Sequence, residues 1–368
     1  MPRKIRVGVI FGGRSGEHDV SLRSAEAIVN AVDRDKFEVV PIGIDRDGRW
    51  ITGGNPLLEL ANCSQLPLAD PDSERLTDIS SVPARQERLS LDVRSSGWAQ
   101  DVDVLFPVLH GPMGEDGTVQ GMLELANVPY VGAGVLASAV AMDKITAKLL
   151  FERAGLPVAP WTSVLRRDWR REPEAVALRI ERELGYPCFT KPANLGSSVG
   201  IGKVHHAGEL AVAMDDAALY DRKILVEKGL DAREFEVGVL GNDDPVTSIV
   251  GEVVPANEFY DFEAKYVDDR SELIIPAPID ASLSEQIRTV AIDAFKAIDG
   301  AGMARVDFFL ERSTNRVYLN EINTIPGFTK ASMYPLLWEA SGLSFSDLVT
   351  RLVELAVERH GERQGWSG

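Results

Sequence analysis

At 368 residues the chain is too long for one ordinary hydrophobic core and suits two or three packed domains. Its 45% hydrophobic and 26% charged residues match the composition of a soluble globular protein. A formal net charge of -17 repels nucleic acid and anionic lipid, so neither is expected as a partner, and any anion must be gathered by local Lys and Arg.

The apolar run before the first glycines is too short for a secretory core, and no stretch approaches the ~20 apolar residues of a membrane span. Cys63 and Cys188 lie far apart in no metal-type spacing, which fits a reducing cytoplasm. The histidines show no zinc spacing, and His205-His206 reads as a solvated loop end.

Val7 to Phe11 reads as a buried strand, followed by the turn GGRSGEHDVS, a helix from Leu22 to Val32 and a strand from Phe37 to Ile44, a βαβ start. Between Asp45 and about Gln100 the pattern weakens, which reads as an insertion with little chemistry. A third strand, Val102 to Leu109, runs into HGPMGEDGTVQG, where Thr118 begins a helix. Lys144 to Ala154 predicts another, stopped by Gly155 and Pro157. Helix and strand then alternate through Pro173 to Leu184, Cys188 to Pro192, Gly208 to Ala218 and Ile224 to Glu227, and the remainder is strand-rich before helices at Ser282 to Ile298 and Phe345 to His360.

KPANLGSSVGIGKV, Lys191 to Val204, joins two strands through a Gly- and Ser-rich loop whose N–H groups could approach an anion; a plain hairpin turn is the other reading. Neither G-x-x-x-x-G-K-[ST] nor G-x-G-x-x-G leading into a helix occurs there. At the N-terminal turn Phe11 stands where the first glycine of a dinucleotide fingerprint belongs, although Asp33, Asp35 and Glu38 lie near the ribose position; a nicotinamide oxidoreductase is a weak alternative. Lys144 opens a helix and Lys191 ends a strand directly before the glycine loop, a pairing that suits polyphosphate.

Near the C-terminus Val306 to Leu310 and Val317 to Ile322 predict two strands joined by ERSTNR. Alternation places Arg305 and Asp307 on one face, and Glu321 and Asn323 on one face together with Leu319. A set of hard oxygen ligands without His or Cys suits magnesium; the competing reading is Arg305 neutralising Asp307 or Glu321 at a sheet edge.

Seven stretches, FGGRSGEHDVS, HGPMGEDGTVQG, MDK, KPANLGSSVG, VEKGLDAREFEV, FYDFEAKY and NEINTIPGFTKASMYP, resemble in order those of the D-alanine:D-alanine ligases of the ATP-grasp superfamily. The resemblance implies an α/β, ATP-grasp fold: an N-terminal parallel α/β domain (1–132, with the variable insertion 45–100), then central (133–227) and C-terminal (228–368) α+β domains. It also implies ATP as co-substrate, two Mg2+ ions for which Mn2+ can substitute, a possible monovalent cation, D-alanine as substrate, a homodimer, and a cytoplasmic role in peptidoglycan synthesis.

By the same resemblance Lys144 and Lys191 contact phosphates beneath Ser197 and its loop. Glu227, Lys228 and Leu230 line the adenine pocket, with Glu234 on the ribose, and Asp307, Glu321 and Asn323 hold magnesium. Glu17, near His110, takes the ammonium of the first D-alanine, while Arg305 and the Gly327 N–H face the reacting carboxyl group. Ser332 and the Met333 backbone hold the second D-alanine; family members often carry Leu at the latter position.

Ala256 to Ser271 is polar, long and rich in Phe and Tyr, as a closing lid should be. In the family Lys265 would meet the γ-phosphate and Tyr266 would bond toward Glu17 and Ser197. Tyrosine at that lid position favours a dipeptide over a D-alanyl-D-lactate ester. A non-catalytic nucleotide-binding regulator is disfavoured by the complete set of ligand residues.

Overall fold

The computed structural model describes residues 3–68, 85–87, 102–196, 198–255 and 272–364, which form three sheets. The first has the order β4-β3-β2-β1-β5, from β1 (Ile5–Gly12), β2 (Phe37–Ile44), β3 (Trp50–Thr52), β4 (Arg85–Glu87) and β5 (Val104–Pro107). Strands β1, β2 and β5 are parallel. Val7, Val9 and Phe11 enter one apolar cluster while Ile10 enters another, so β1 is buried on both faces, as its unbroken apolar run requires.

Helix α1 (His18–Ala31) starts four residues before Leu22, the first apolar residue of its expected span. Its first turns carry Asp19 and Ser21, and the Ser21 hydroxyl accepts the Gly12 N–H at 2.8 Å, tying the glycine turn to the helix. The segment expected to lack pattern instead adds two antiparallel strands to the sheet, and α2 (Pro56–Cys63) covers β2. Trp50, Ile51, Leu57 and Leu60 are buried there. Elements of three to eight residues are too short to show a sustained period, which is why they escape a pattern search.

Three helices follow, α3 (Thr118–Ala126), α4 (Val135–Met142) and α5 (Lys144–Arg153). The second sheet, β6-β9-β7-β8, is antiparallel and contains β6 (Trp161–Leu165), β7 (Cys188–Pro192), β8 (Gly202–Val204) and β9 (Lys223–Lys228). It is accompanied by α6 (Arg166–Arg171), α7 (Pro173–Glu183) and α8 (Ala207–Tyr220).

The third sheet, β12-β11-β10-β13-β14, is also antiparallel, with β10 (Ala232–Gly241), β11 (Val246–Val254), β12 (Glu272–Ile274), β13 (Gly302–Glu311) and β14 (Val317–Asn323). Helix α9 (Ala281–Ala297) buries Ile287, Ala291 and Phe295 in the cluster that holds Val306 and Phe308. After α10 (Met333–Ala340), the last helix, α11 (Phe345–Gln364), returns to the first sheet, where Leu348, Val349, Leu352 and Val353 join Val7, Val9 and Phe106 in one core.

The β13–β14 hairpin departs from simple alternation. Arg305 faces Asn323 and Asp307 faces Glu321, but Phe308 faces Leu319, so Asn320 is an extra residue, a β-bulge. Leu319 therefore belongs to the apolar face with Val317 and Ile322, not to the face of Glu321. The bulge permits Leu319 and Ile322, three apart in sequence, to enter the same core, while Glu321 and Asn323 stay on the polar face.

Candidate active site

The polar face of the third sheet carries a row of carboxylates held by one guanidinium. Register places Glu236 of β10 opposite Asp307, which faces Glu321 on its other side. Arg305 grips Asp307 through two 2.7 Å hydrogen bonds and lies 3.0 Å from Glu236, and Asn323 Nδ2 donates to Asp307 at 3.1 Å. Burial alone would favour a neutral Arg305, but Asp307 and Glu236 raise its pKa well above the usual arginine range. Arg305 thus does neutralise Asp307, while Glu321 and Asn323 face a cavity that Arg305 also lines.

Lys144 projects into the same cavity. Its ammonium donates to the Leu195 carbonyl at 2.7 Å and lies 4.0 Å from Glu321. Asp143 caps α5 by accepting the Thr146 N–H at 3.0 Å, which fixes where the lysine begins. The Gly-rich segment connects the antiparallel pair β7–β8, so the hairpin reading describes its backbone. That form still brings Leu195, Gly196 and Ser198 to the cavity wall. A Cβ at Gly196 would stand 3.2 Å from Glu17 Oε2, so a side chain there would press on that carboxylate.

Lys191, at the end of β7, donates to Glu227 Oε2 at 2.8 Å. The other oxygen, Oε1, is 2.5 Å from the ammonium of Lys148, a lysine that the sequence reading passed over. Burial alone would raise the Glu227 pKa, but the two cations hold it at about 2. Burial likewise opposes the charge on Lys191, which Glu227 offsets, so its pKa is raised. Among the other candidates for the nucleotide, Lys228 is exposed, Leu230 half-buried, and Glu234 on β10 contributes to raising the Lys191 pKa.

On the far wall stand Glu17, at the start of α1, and His110 and Glu115, in the loop after β5. His110 Nδ1 lies 3.0 Å from the Ile325 carbonyl, so it carries the proton, and Nε2 lies 3.2 Å from Ser24 Oγ. Burial lowers the His110 pKa and keeps the ring neutral. Ser24 Oγ also accepts the Phe328 N–H at 3.3 Å, so Ser24 of α1 and His110 hold the loop after β14 on either side of Gly327.

Glu115, also unforeseen, accepts the Gly111 N–H at 2.8 Å, and a Cβ on Gly111 would lie 2.6 Å from Glu17 Oε2. Two carboxylates thus border one small volume. Burial and then Glu17 push the Glu115 pKa up to about 8. The folded chain therefore holds a proton on Glu115 that the unfolded chain releases near pH 4.5, so this group's contribution to stability is present at low pH and lost as pH rises toward 8. Urea unfolding of ligand-free protein is expected to show a larger fall in stability between pH 6 and pH 9 in the wild type than in Glu115→Gln; equal falls would refute the assignment.

Ser332 precedes α10 and its Oγ accepts the Thr329 N–H at 3.0 Å; a Cβ on Gly327 would lie 3.0 Å from the same oxygen. Met333 is buried and begins the helix, so its N–H lies among the unsatisfied donors of an N-terminus. Ser197, Lys265 and Tyr266, with the expected lid at 256–271, lie outside the described residues. The geometry brings together Glu17, His110, Lys144, Arg305, Glu321, Asn323 and Gly327 around one cavity, with Asp307 behind Arg305 and with Lys191 and Glu227 on the adjoining sheet.

The model of the D-ala D-ala ligase N-terminus matches residues 6–133, and that of the D-ala D-ala ligase C-terminus matches residues 150–354. The chain belongs to the D-alanine:D-alanine ligase family. It is 51% identical over 362 residues to the D-alanine–D-alanine ligase of Geobacillus kaustophilus, covering 98% of this chain and 97% of that one. The ligase of Heliobacterium modesticaldum is also 51% identical, over 368 residues, with the same coverage of 98% and 97%.

Among solved structures, the D-alanine-D-alanine ligase from Coxiella burnetii superposes with a TM-score of 0.82 at 38% identity, covering 98% of this chain and 96% of its own. The VanG D-Ala:D-Ser ligase from Enterococcus faecalis gives 0.81 at 35% identity, with 96% and 100% covered. The fold is the ATP-grasp fold expected from the resemblance, and the ligase is an enzyme. Among the described residues no helix is long and apolar enough to cross a membrane.

Proposed function

We propose that the chain joins two D-alanine molecules into D-alanyl-D-alanine, driven by ATP cleavage to ADP and phosphate, for cell wall synthesis in the cytoplasm, as a homodimer. The observation that carries this reading is the convergence of Glu17, Lys144, Arg305, Glu321 and Gly327 on one polar cavity in a chain about half identical to ligases over nearly its whole length.

The first D-alanine needs a carboxylate for its ammonium, and Glu17 supplies that charge, with Glu115 held protonated beside it. One of its carboxylate oxygens attacks the γ-phosphorus of ATP, and ADP leaves. Lys144, Lys191 and Arg305 offset the charge spread over the transferring group, with Lys265 added from the segment that contains Tyr266. The resulting acyl phosphate has phosphate as its leaving group. The second D-alanine, as a neutral amine, attacks the acyl carbon. Arg305 and the Gly327 N–H face the oxyanion, and its collapse expels phosphate.

The carboxylate of the second D-alanine is placed at Ser332 and the Met333 N–H, where the first turn of α10 presents unpaired donors and a positive dipole end. Glu227, Lys228 and Leu230 border adenine. The Glu227 carboxylate is already shared by two lysines, so backbone groups of this segment are left to read the purine edge. Glu234 takes the ribose.

Asp307, Glu321 and Asn323 would hold magnesium: Glu321 and Asn323 bring hard oxygens to the cavity, and Asp307, opposite Glu321 on the same hairpin, would turn to the metal an oxygen that now accepts from Arg305. When bound there, magnesium, or manganese in its place, supplies Lewis-acid neutralisation of the phosphate oxygens. Two such ions and an activating monovalent cation belong to this reading through the family.

Purified chain given ATP and magnesium is expected to release ADP only when D-alanine is added, with the dipeptide as the product seen by mass spectrometry. Supplying D-lactate or D-serine as the second substrate tests specificity. Preference for either over D-alanine at neutral pH would overturn the dipeptide assignment, and absence of ADP with D-alanine would overturn the ligase reading.

A further inference from the structure

Lys148 is one of the largest fully buried side chains in the protein, with a relative exposure of 2%. An ammonium so deeply placed needs strong partners. It has two, Glu227 Oε1 at 2.5 Å and the carbonyl of Asn320 at 3.3 Å. The first lies on β9, and the second is the bulged residue next to Glu321. One buried cation on α5 therefore touches the second sheet and the third.

Charge accounting gives this contact a role. Glu227 alone would cancel Lys191, leaving a neutral pair at the phosphates. With Lys148 on its other oxygen the three groups sum to +1, and Lys191, at the end of β7, is the member next to the glycine loop. We propose that Lys148 is a positioning residue for the ligation: by sharing Glu227 it leaves net positive charge at Lys191 for the nucleotide phosphates, and by holding the Asn320 carbonyl it fixes the bulge that aims Glu321. This rests on the ligase reading, because it takes Lys191 as a phosphate contact.

The test is binding of a β,γ-methylene ATP analogue with magnesium, measured by calorimetry, which needs no turnover. Lys148→Met is expected to weaken binding about tenfold, as loss of one nearby charge in a partly desolvated site should. Lys148→Gln, whose amide can still donate to both oxygens but carries no charge, should weaken it to a similar extent. In Lys148→Met/Glu227→Gln the sum returns to +1, so the double variant should bind the analogue more tightly than Lys148→Met.

A packing role alone would leave Lys148→Gln within twofold of wild type and make the double variant bind no better than the single one; either result overturns the proposal. If Lys148→Met gives no cooperative melting, Lys148→Gln against wild type decides. A wild-type chain that does not bind the analogue would remove the ligase reading together with this inference. Wild-type binding with an unaffected Lys148→Gln removes only the inference.

Discussion

Glu321→Gln is expected to abolish ADP formation, by a factor of about a thousand or more, while the protein stays folded. The substitution keeps the volume and one carbonyl oxygen but removes the anionic charge that a hard cation requires. Glu321 side-chain exposure is 24%, its neighbour Lys144 is 4.0 Å away, and its strand is fastened by Leu319 and Ile322 on the opposite face. Removing one charge from a face that already holds Asp307 and Glu236 relieves repulsion, so stability should hold or rise. Rates of ADP release alongside thermal melting check both halves; near-normal turnover would end the metal-platform assignment.

Arg305→Met should damage fold and chemistry together. Its guanidinium spans Asp307 and Glu236, whose side chains are 12% and 7% exposed. Loss of the cation leaves two buried carboxylates facing each other, a change that costs about 3–5 kcal/mol where such pairs are broken. Urea unfolding should therefore show a midpoint well below that of wild type, and ADP formation should fall steeply. Arg305→Lys separates the roles: its point charge recovers part of the stability, but it cannot reproduce the planar fork and should leave turnover low. Wild-type turnover in the lysine variant would show that charge alone suffices.

Two strands were legible at their full length because an apolar run marks each of them. Phe37 to Ile44 and Cys188 to Pro192 have the bounds read from apolar runs, and Lys144 was placed at a helix start by its position before an apolar stretch. Leu319 was assigned to the wrong face because alternation assumes an unbroken ladder, and a bulge is a property of pairing between strands. A signal was nevertheless present: apolar spacing changes from two to three between Leu319 and Ile322.

Lys148 was missed because a lysine on a helix ordinarily reads as solvated. It falls, however, on the stripe of Ile145 and Phe151 at intervals of three, where a charge is an anomaly that points to a buried partner. Glu115 carried no comparable signal, since its neighbour across the cavity, Glu17, is almost a hundred residues away in the chain.

The last helix bears on the order in which this protein can be made. The core under β1, β2 and β5 includes Leu348, Val349, Leu352 and Val353, which leave the ribosome more than two hundred residues after the strands they cover. During synthesis that apolar face of the first sheet is covered only in part, by Leu22, Ile28 and Val29 of α1 and by Leu57 and Leu60 of α2. Folding of its neighbours can proceed meanwhile, but the wall that carries Glu17 and His110 is secured only when α11 arrives. A helix translated long after those strands thus completes the packing beneath the first half of the active site.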